Sequence, residues 1–395
     1  MKLKIKRELL LENLNKVSKA ISTKNLIPSL SGIKFDLTKE GLTLTASNND
    51  LTIQKFIEIK DENMNVQEEG IIIIQGKEIL DIVRVIPEEE INIEVIDELK
   101  VLIYTDDEKI KYDLNVINKS EYPNVNLEKS DNYITISSEE LLNIVKETAF
   151  ATSTDESRPV LTGINFKING DLLECSATDS YRLAKKENRL SKPVEEIYNI
   201  IIPGKNIIEF SKIIDDREGE IKLHVFNNKI LFEEDNLLFQ SRLINGNYPN
   251  TSKLIPEDSV LKIKAKLSQL YNVIGQASIL TTDKEKNIVS LSTNGDLLIV
   301  KSVSNEKGKA EMKMNIEKNN NEDITIAFSA KYMMEALNAL NTDIIEMSFI
   351  GEVKPITIKN TTEDGLIQLV VPIRTYLNNI RHNLLCKYDI ITTYF

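Results

Sequence analysis

Histidine and cysteine are scarce in this chain, with two of each among 395 residues. The histidines, His224 in IKLHVFNNKI and His382 near the C-terminus, stand in no H-E-x-x-H or comparable spacing, so no metal site is expected. His224 falls in a strand-like alternation, where a hydrogen-bonded structural role is the ordinary one. Cys175 and Cys386 lie too far apart for a metal knuckle and are too few for a disulfide framework. Long apolar runs are missing too: nothing approaches the roughly 18 residues that a membrane-spanning helix takes, and no membrane association is expected. The opening MKLKIKRELLLENL passes straight into a strand and an amphipathic helix, without the apolar core and cleavage site of a signal peptide, which points to the cytoplasm. PGKN and QGKE resemble fragments of a phosphate loop but lack G-x-x-x-x-G-K-[ST]. There is no G-x-S-x-G elbow. The acidic run PEEEINIEVIDE is consecutive and irregular, as a solvated edge is, and is not spaced for two metals. Neither catalysis nor a cofactor is expected.

Basic residues are outnumbered as well, 49 Lys and Arg against 61 Asp and Glu, for a net charge of −12. Sequence-independent nucleic-acid binding rests on Lys and Arg meeting phosphates, so the total argues against it unless the cations gather on one surface.

What is present is a repeat. The chain is too long for one ordinary core, and two or three domains are the starting expectation. QGKEILDIVRVIP, PGKNIIEFSKII and SAKYMMEALNAL align without gaps at Lys77, Lys205 and Lys331, about 127 residues apart, which is the length of a whole domain. EYPNVN at Glu121 matches NYPNTS at Asn247, each closing a unit before the next strand. The boundaries predicted are 1–128, 129–255 and 256–376. Each unit opens on a helical segment (RELLLENLNKVSKAIS, SSEELLNIVKETAFAT, AKLSQLYNVIGQAS) followed by alternating strands, with hairpin signals at Asn169-Gly170-Asp171 and Asn294-Gly295-Asp296. Three copies of helix, hairpin, strands, helix and strands make an α+β architecture.

At about 100° per residue, the helix from Lys77 turns Ile79, Ile82, Val83 and Ile86 one way and Lys77 and Arg84 the other. In the second copy Ile207, Phe210 and Ile214 oppose Lys205 and Lys212; in the third Met333, Ala336, Leu337 and Leu340 oppose Lys331 and Asn338. In the first helix of the chain Leu10, Leu14, Val17 and Ile21 face in while Lys16 and Lys19 face out. One solvated charged face is common, but its recurrence in an acidic chain suggests a shared basic surface touching phosphates without reading bases.

ATDSYRLA, Ala177 to Ala184, puts Asp179, Tyr181 and Arg182 side by side. A tyrosine nucleophile for strand cleavage would need several further Arg, Lys or His to stabilise the transferring phosphate, and the sequence shows no such cluster locally.

RPVLTGINFKINGDLLECSATDSYRLA (Arg158 to Ala184) closely resembles the bacterial DNA polymerase III beta subunit family, the sliding clamps. IPSLSGIKF, GKEILDIVRVIP, EYPN, IIPGKNIIEFSKII, INGNYPN and VVPIRTY follow in the family's order, so the resemblance covers about residues 1 to 376. It implies a non-catalytic processivity factor: a head-to-tail homodimer of three clamp domains per subunit, a six-domain ring around duplex DNA with helices inside and sheets outside. The implied DNA-facing positions are Lys24, Lys77, Arg84 and Lys205, to which the helical phasing adds Lys212 and Lys331, with Arg158 a further candidate. The implied dimer contacts are Tyr112 and Leu114 in KYDLNV against Ile279 and Leu280 in ASILTT. A hydrophobic pocket for short peptides of the polymerase, the clamp loader and repair proteins is implied at Leu161, Thr178, Ser180, Tyr181, Arg182, Leu183, Pro249, Lys253, Leu254, Val353, Pro355, Val371, Pro372, Ile373 and Arg374, with Tyr181 and Arg182 on its rim. Many family members stop near Tyr376, whereas Leu377–Phe395 continue here; this extension is expected to be an idle tail or to fold back and compete with partner peptides.

Overall fold

The computed structural model describes residues 1–22, 27–60, 63–214, 218–256, 258–282, 287–304, 306–361, 365–374 and 389–390. The first copy runs β1 (Lys2–Lys6), α1 (Arg7–Val17), β2 (Gly32–Leu37), β3 (Gly41–Ser47), β4 (Leu51–Glu58), β5 (Met64–Glu68), β6 (Gly70–Gln75), α2 (Gly76–Val85), β7 (Glu90–Asp97), β8 (Lys100–Tyr104) and β9 (Lys111–Asn115). The second runs β10 (Ile134–Ser137), α3 (Ser138–Thr148), β11 (Gly163–Thr178), β12 (Arg182–Pro203), α4 (Gly204–Ser211), β13 (Glu220–Val225), β14 (Lys229–Glu234) and β15 (Leu237–Arg242). The third runs β16 (Leu261–Lys266), α5 (Leu267–Ser278), β17 (Ile288–Asn294), β18 (Leu297–Ser304), β19 (Gly308–Asn315), β20 (Glu317–Lys318), β21 (Thr325–Ser329), α6 (Ala330–Ala339), β22 (Ile344–Phe349), β23 (Ile356–Asn360) and β24 (Leu366–Val370), after which β25 (Ile373–Arg374) pairs with β26 (Asp389–Ile390).

Local sequence explains these elements. LKIKAK alternates buried Leu261, Ile263 and Ala265 with exposed lysines, the period of a strand with one covered face. In α2, Ile79, Ile82 and Val83 are buried while Lys77 and Arg84 are exposed, as the helical period requires. The helix stops at Val85 because Pro87 drives Ile86 into extended backbone. In α6, Met333, Ala336 and Leu337 are buried, as is Leu340 just beyond it, and Lys331 and Asn338 are exposed. Two expectations need correction. α4 ends at Ser211, so the chain leaves the helical path and buries Ile213 in place of the half-buried Ile214. Lys16 does not face outward: its stem is covered and its ammonium holds Glu12 at 2.9 Å. The hairpin turn at Asn294-Gly295-Asp296 is present, with Gly295 at φ +55° between β17 and β18.

The chain divides into two compact units, and the middle copy is shared between them. Unit 1 (Met1–Glu139 with Lys205–Leu243) holds a five-stranded sheet, β5-β1-β7-β8-β9, and an eight-stranded sheet, β10-β13-β14-β15-β4-β3-β2-β6. α1 packs on α2 and on β3 and β4. Phe210, Phe232 and Phe239 cluster in its core, with ring centroids 4.6–6.0 Å apart and planes tilted or edge-on. Unit 2 (Glu140–Gly204 with Ile244–Phe395) holds a seven-stranded sheet, β11-β12-β24-β23-β22-β16-β20, and a four-stranded one, β19-β18-β17-β21. A hydrophobic cluster there includes Phe328, Phe349, Ile263, Ile274, Leu291 and Leu337.

Each large sheet is a seam between copies, and the two seams follow one rule. The last strand of a copy pairs antiparallel with a strand from the first half of the copy before it: β15 with β4, β24 with β12. The registers correspond. Phe239 faces Ile53, which faces Ala46; Gln368 faces Ala184, which faces Ala177. Finer detail repeats as well. A Cβ on Gly32 would lie 2.5 Å from Ile73 Cγ2, and one on Gly163 2.5 Å from Ile201 Cγ2. Only glycine allows either approach. Ile117 N–H donates to the Ile73 carbonyl and Ile244 N–H to the Ile201 carbonyl, both at 2.9 Å.

Candidate functional site

The turn between β11 and β12 is fixed by its own side chains. Asp179 Oδ1 accepts from the backbone N–H of Tyr181 (2.9 Å) and of Arg182 (3.0 Å). Thr178 Oγ1 accepts from Ser180 N–H at 3.2 Å and donates to the Arg182 carbonyl at 2.6 Å. Ser180 is thereby held at φ +77°, a left-handed conformation that costs a non-glycine residue on the order of 1 kcal/mol and marks sites where the surroundings over-determine the backbone. Two further bonds anchor the turn: Thr178 N–H to the Tyr248 hydroxyl (2.9 Å) and Val371 N–H to the Tyr181 carbonyl (2.9 Å). Tyr248 of NYPN thus has a defined role as a half-buried acceptor, and burial pushes its phenol well above the ordinary value.

Arg182 is buried, 6% exposed. Its Nε donates to Asp179 Oδ2 at 3.0 Å and its Nη1 to Glu335 Oε2. Its guanidinium lies 4.6 Å from the centre of the Tyr332 ring and 5.3 Å from that of Phe150. Tyr332 in turn stacks on Tyr181, 6.1 Å between centroids and 11° between planes. Burial raises the Asp179 carboxyl above its ordinary value, against the pull of Arg182 and the two backbone donors. A groove of about 870 Å³ opens here, lined by Phe150, Arg158, Leu161, Ser180, Tyr181, Lys331 and their neighbours.

The structure brings most of the predicted pocket residues to this turn. Leu161, Ser180, Tyr181 and Arg182 line the groove, and Thr178 and Leu183 are buried beneath it. The β12–β24 ladder sets Arg182 opposite Val370 and Leu183 opposite Leu369. That leads into buried Val371, Pro372 and Ile373 and exposed Arg374. Pro355, buried, enters β23, whose Ile356 faces Val370, and Val353 is 43% exposed. Pro249 and Leu254 are half-buried and Lys253 exposed on the segment after Tyr248. Sequence reasoning missed Phe150, Tyr332 and Glu335. The repeat carried a signal for the last, since Glu335 stands four residues after Lys331 as Glu209 does after Lys205 and Asp81 after Lys77.

Of the predicted phosphate contacts, Lys77, Lys205 and Lys331 occupy one position in three helices and are exposed; among the described residues none has a carboxylate partner. Arg84 is paired with Asp81 (3.2 Å) and Lys212 with Glu209 (2.6 Å). Arg158 donates to Ser180 Oγ at 3.2 Å and opens into the groove with Lys331. Lys24 lies outside the described residues, as does the extension from Leu377 apart from Asp389–Ile390. Tyr112 and Leu114 are half-buried on β9, which has no neighbour beyond β8 among the described residues. Ile279 is 71% exposed after α5, and Leu280 half-buried.

His224 is 2% exposed, with Nε2 3.0 Å from Glu233 and Nδ1 against the Ser130 backbone. Cys175 is buried, which raises its thiol. Among the described residues no group of three His, Cys, Asp or Glu side chains could hold a metal, and no helix is long and apolar enough to cross a membrane.

Three family models match the chain: the N-terminal domain of the DNA polymerase III beta subunit over residues 1–126, its central domain over 135–250 and its C-terminal domain over 252–374. The chain is 35% identical over 380 residues to the beta sliding clamp of Bacillus subtilis (strain 168), covering 95% of this chain and all of that one. The beta sliding clamp of Staphylococcus aureus (strain COL) is similar to the same extent, 35% identical over 380 residues with the same coverage. Among solved structures, the DNA polymerase sliding clamp of Bacillus subtilis superposes with a TM-score of 0.90 at 35% identity, over 95% of this chain and all of that one.

Proposed function

Because the chain belongs to the DNA polymerase III beta subunit family, the non-catalytic DNA sliding clamps, we propose that two copies close head to tail into a ring around duplex DNA and tether a polymerase to it. Its three tandem clamp domains take the boundaries 1–128, 129–255 and 256–376. The observation that carries the ring is the seam rule. The two seams inside the chain use up β4 with β15 and β12 with β24, and leave β9, a last strand, and β19, the counterpart of β4, without their kind of partner among the described residues. Applied once more, between chains, the rule pairs β9 with β19 of another copy. Tyr112 stands five residues before Ile117 as Phe239 does before Ile244, and Ala310 faces Ser302 as Ile53 faces Ala46. The register that follows sets Tyr112 opposite Ala310 and Leu114 opposite Gly308. Different patches meet, and such a heterologous contact closes when its rotation does.

Ile279 supports the same contact. Counted from the equivalent buried leucines Leu10, Leu141 and Leu270, its counterpart in the middle copy is Phe150, which packs on Arg182. In the third copy that place is an isoleucine facing water, where the first helix pair of a second chain would cover it.

A ring that meets DNA through unpaired lysines touches phosphates and no base edges, so it slides. Polymerase, clamp loader and repair proteins then dock short apolar segments beside the Thr178–Arg182 turn, each buried leucine-like anchor contributing about 1.5–3 kcal/mol. A tethered polymerase that lets go stays at high effective concentration and rebinds. The work is cytoplasmic.

Two experiments test this reading. Tyr112→Cys with Ala310→Cys, in a chain carrying Cys386→Ser, is loaded on circular duplex DNA and cross-linked. The expected product is a covalent dimer that survives denaturing washes on circular DNA and is released when the DNA is linearised; a groove-bound scaffold would wash off the circle. Separately, Lys77→Ala, Lys205→Ala and Lys331→Ala together are expected to flatten the log–log salt dependence of duplex binding by about 0.9 per lysine that meets a phosphate. An unchanged slope would remove these residues from the DNA interface.

A further inference from the structure

The repeat supplies an internal control for the Arg182 cluster. A second groove, about 450 Å³, is built in unit 1 from equivalent positions: Lys19, Asn48, Leu51, Lys205, Asn206 and Glu209 stand where the larger groove has Phe150, Asp179, Arg182, Lys331, Tyr332 and Glu335. Two bonds of the turn recur, although Ser180 is left-handed (φ +77°) and its counterpart Asn49 is not. Asn48 Oδ1 accepts from Asp50 N–H (2.8 Å) and Leu51 N–H (2.9 Å), just as Asp179 Oδ1 serves Tyr181 and Arg182. A neutral asparagine and a leucine therefore suffice for this pair of bonds. The charges and aromatic rings added in unit 2 do something else.

What they do is fix one side chain. Resting on the pocket assignment above, we propose that Arg182 is a positioning residue of the peptide pocket: clasped by Asp179 and Glu335 and packed close to the Phe150 and Tyr332 rings, it locks helix α6 to the turn so that Tyr332 holds Tyr181 in place for the incoming peptide. Nε and Nη1 are engaged by carboxylates and two rings lie close to the guanidinium, so much of what Arg182 can offer is spent inside the protein. The clasp accordingly sets affinity through the placement of Tyr181 and Tyr332, with apolar anchors on the partner supplying the contact.

The probe is a fluorescein-labelled peptide copied from the clamp-binding segment of a replicative polymerase, titrated into the full-length protein. Glu335→Ala is expected to weaken binding roughly threefold to thirtyfold, mainly through a faster off-rate. Glu335→Gln, which keeps the acceptor, recovers most of the loss. Arg182→Ala costs less in the Glu335→Ala background than alone, because the two act as one unit. Glu209→Ala, the equivalent change in the other groove, leaves peptide affinity unaltered. Hydrogen exchange without peptide gives an independent reading: residues 178–183 exchange faster in Glu335→Ala, while residues 47–52 do not. Unchanged or tighter binding by Glu335→Ala overturns the proposal, the latter because it would mean that freed Arg182 meets the ligand. Should the wild-type protein not bind the peptide at all, the pocket assignment fails and the exchange result alone decides the clasp.

Discussion

Ile279→Asp is expected to convert the protein to monomer and abolish its retention on circular DNA. Ile279 is 71% exposed in the single chain, and its place in the fold is that of Phe150, which is packed. Covered by a second copy, an aspartate there would be a buried carboxylate without a partner, a change that costs about 3 kcal/mol or more. A two-chain ring has two such contacts, so the loss is felt twice, about 6 kcal/mol or roughly four powers of ten in the dimer Kd. Sedimentation velocity at micromolar concentration reads this directly: a monomer boundary for Ile279→Asp, a dimer for wild type and Ile279→Leu. A dimer that survives Ile279→Asp would rule out the end of α5 as the closing surface.

Lys186→Ala is expected to destabilise unit 2 strongly. Lys186 on β12 and Glu147 at the end of α3 form a 3.0 Å ion pair, and their side chains are 10% and 6% exposed. Removing the ammonium leaves the carboxylate buried without it, which typically costs about 3–5 kcal/mol, a large share of the roughly 5–15 kcal/mol by which a domain is stable. Urea denaturation followed by circular dichroism should show the midpoint falling with little change in slope. Lys186→Met combined with Glu147→Leu should recover much of the loss, since two apolar groups of similar volume need no counter-charge. If Lys186→Ala matched wild type, the pair would contribute little to stability.

The parts of this fold that sequence exposes are local. Lys77, Lys205 and Lys331 mark the first turn of three helices because each precedes a run of apolar residues at helical spacing, and Tyr122 and Tyr248 mark the ends of copies because each stands in the same Y-P-N turn. Strand faces such as LKIKAK declare themselves by alternation. The seams do not. Nothing near Ile53 or Phe239 says that they face each other, because that pairing joins different copies and depends on which sheet edges remain open after each copy has folded. Division of the middle copy between two units follows from those seams, so equal repeats in sequence gave no hint of it.

The same difference governs the candidate site. Leu161, Tyr181 and Arg182 could be assigned through motif resemblance, but the burial of Arg182 could not, since Phe150, Tyr332 and Glu335 reach it from helical segments distant in the chain. Ile213 displaced Ile214 for a simpler reason: helical phase was carried three residues beyond the point where α4 stops.

The seam rule also bears on where a ring of these chains can open. Each β4–β15 and β12–β24 seam is riveted by the polypeptide itself, so parting it releases no independently tumbling body. A seam between chains is held against the translational and rotational entropy of a free subunit, some 4–15 kcal/mol at standard concentration. In the proposed ring the six joints would thus be unequal, and the place that admits DNA would be set by which two of them lack a covalent backstop.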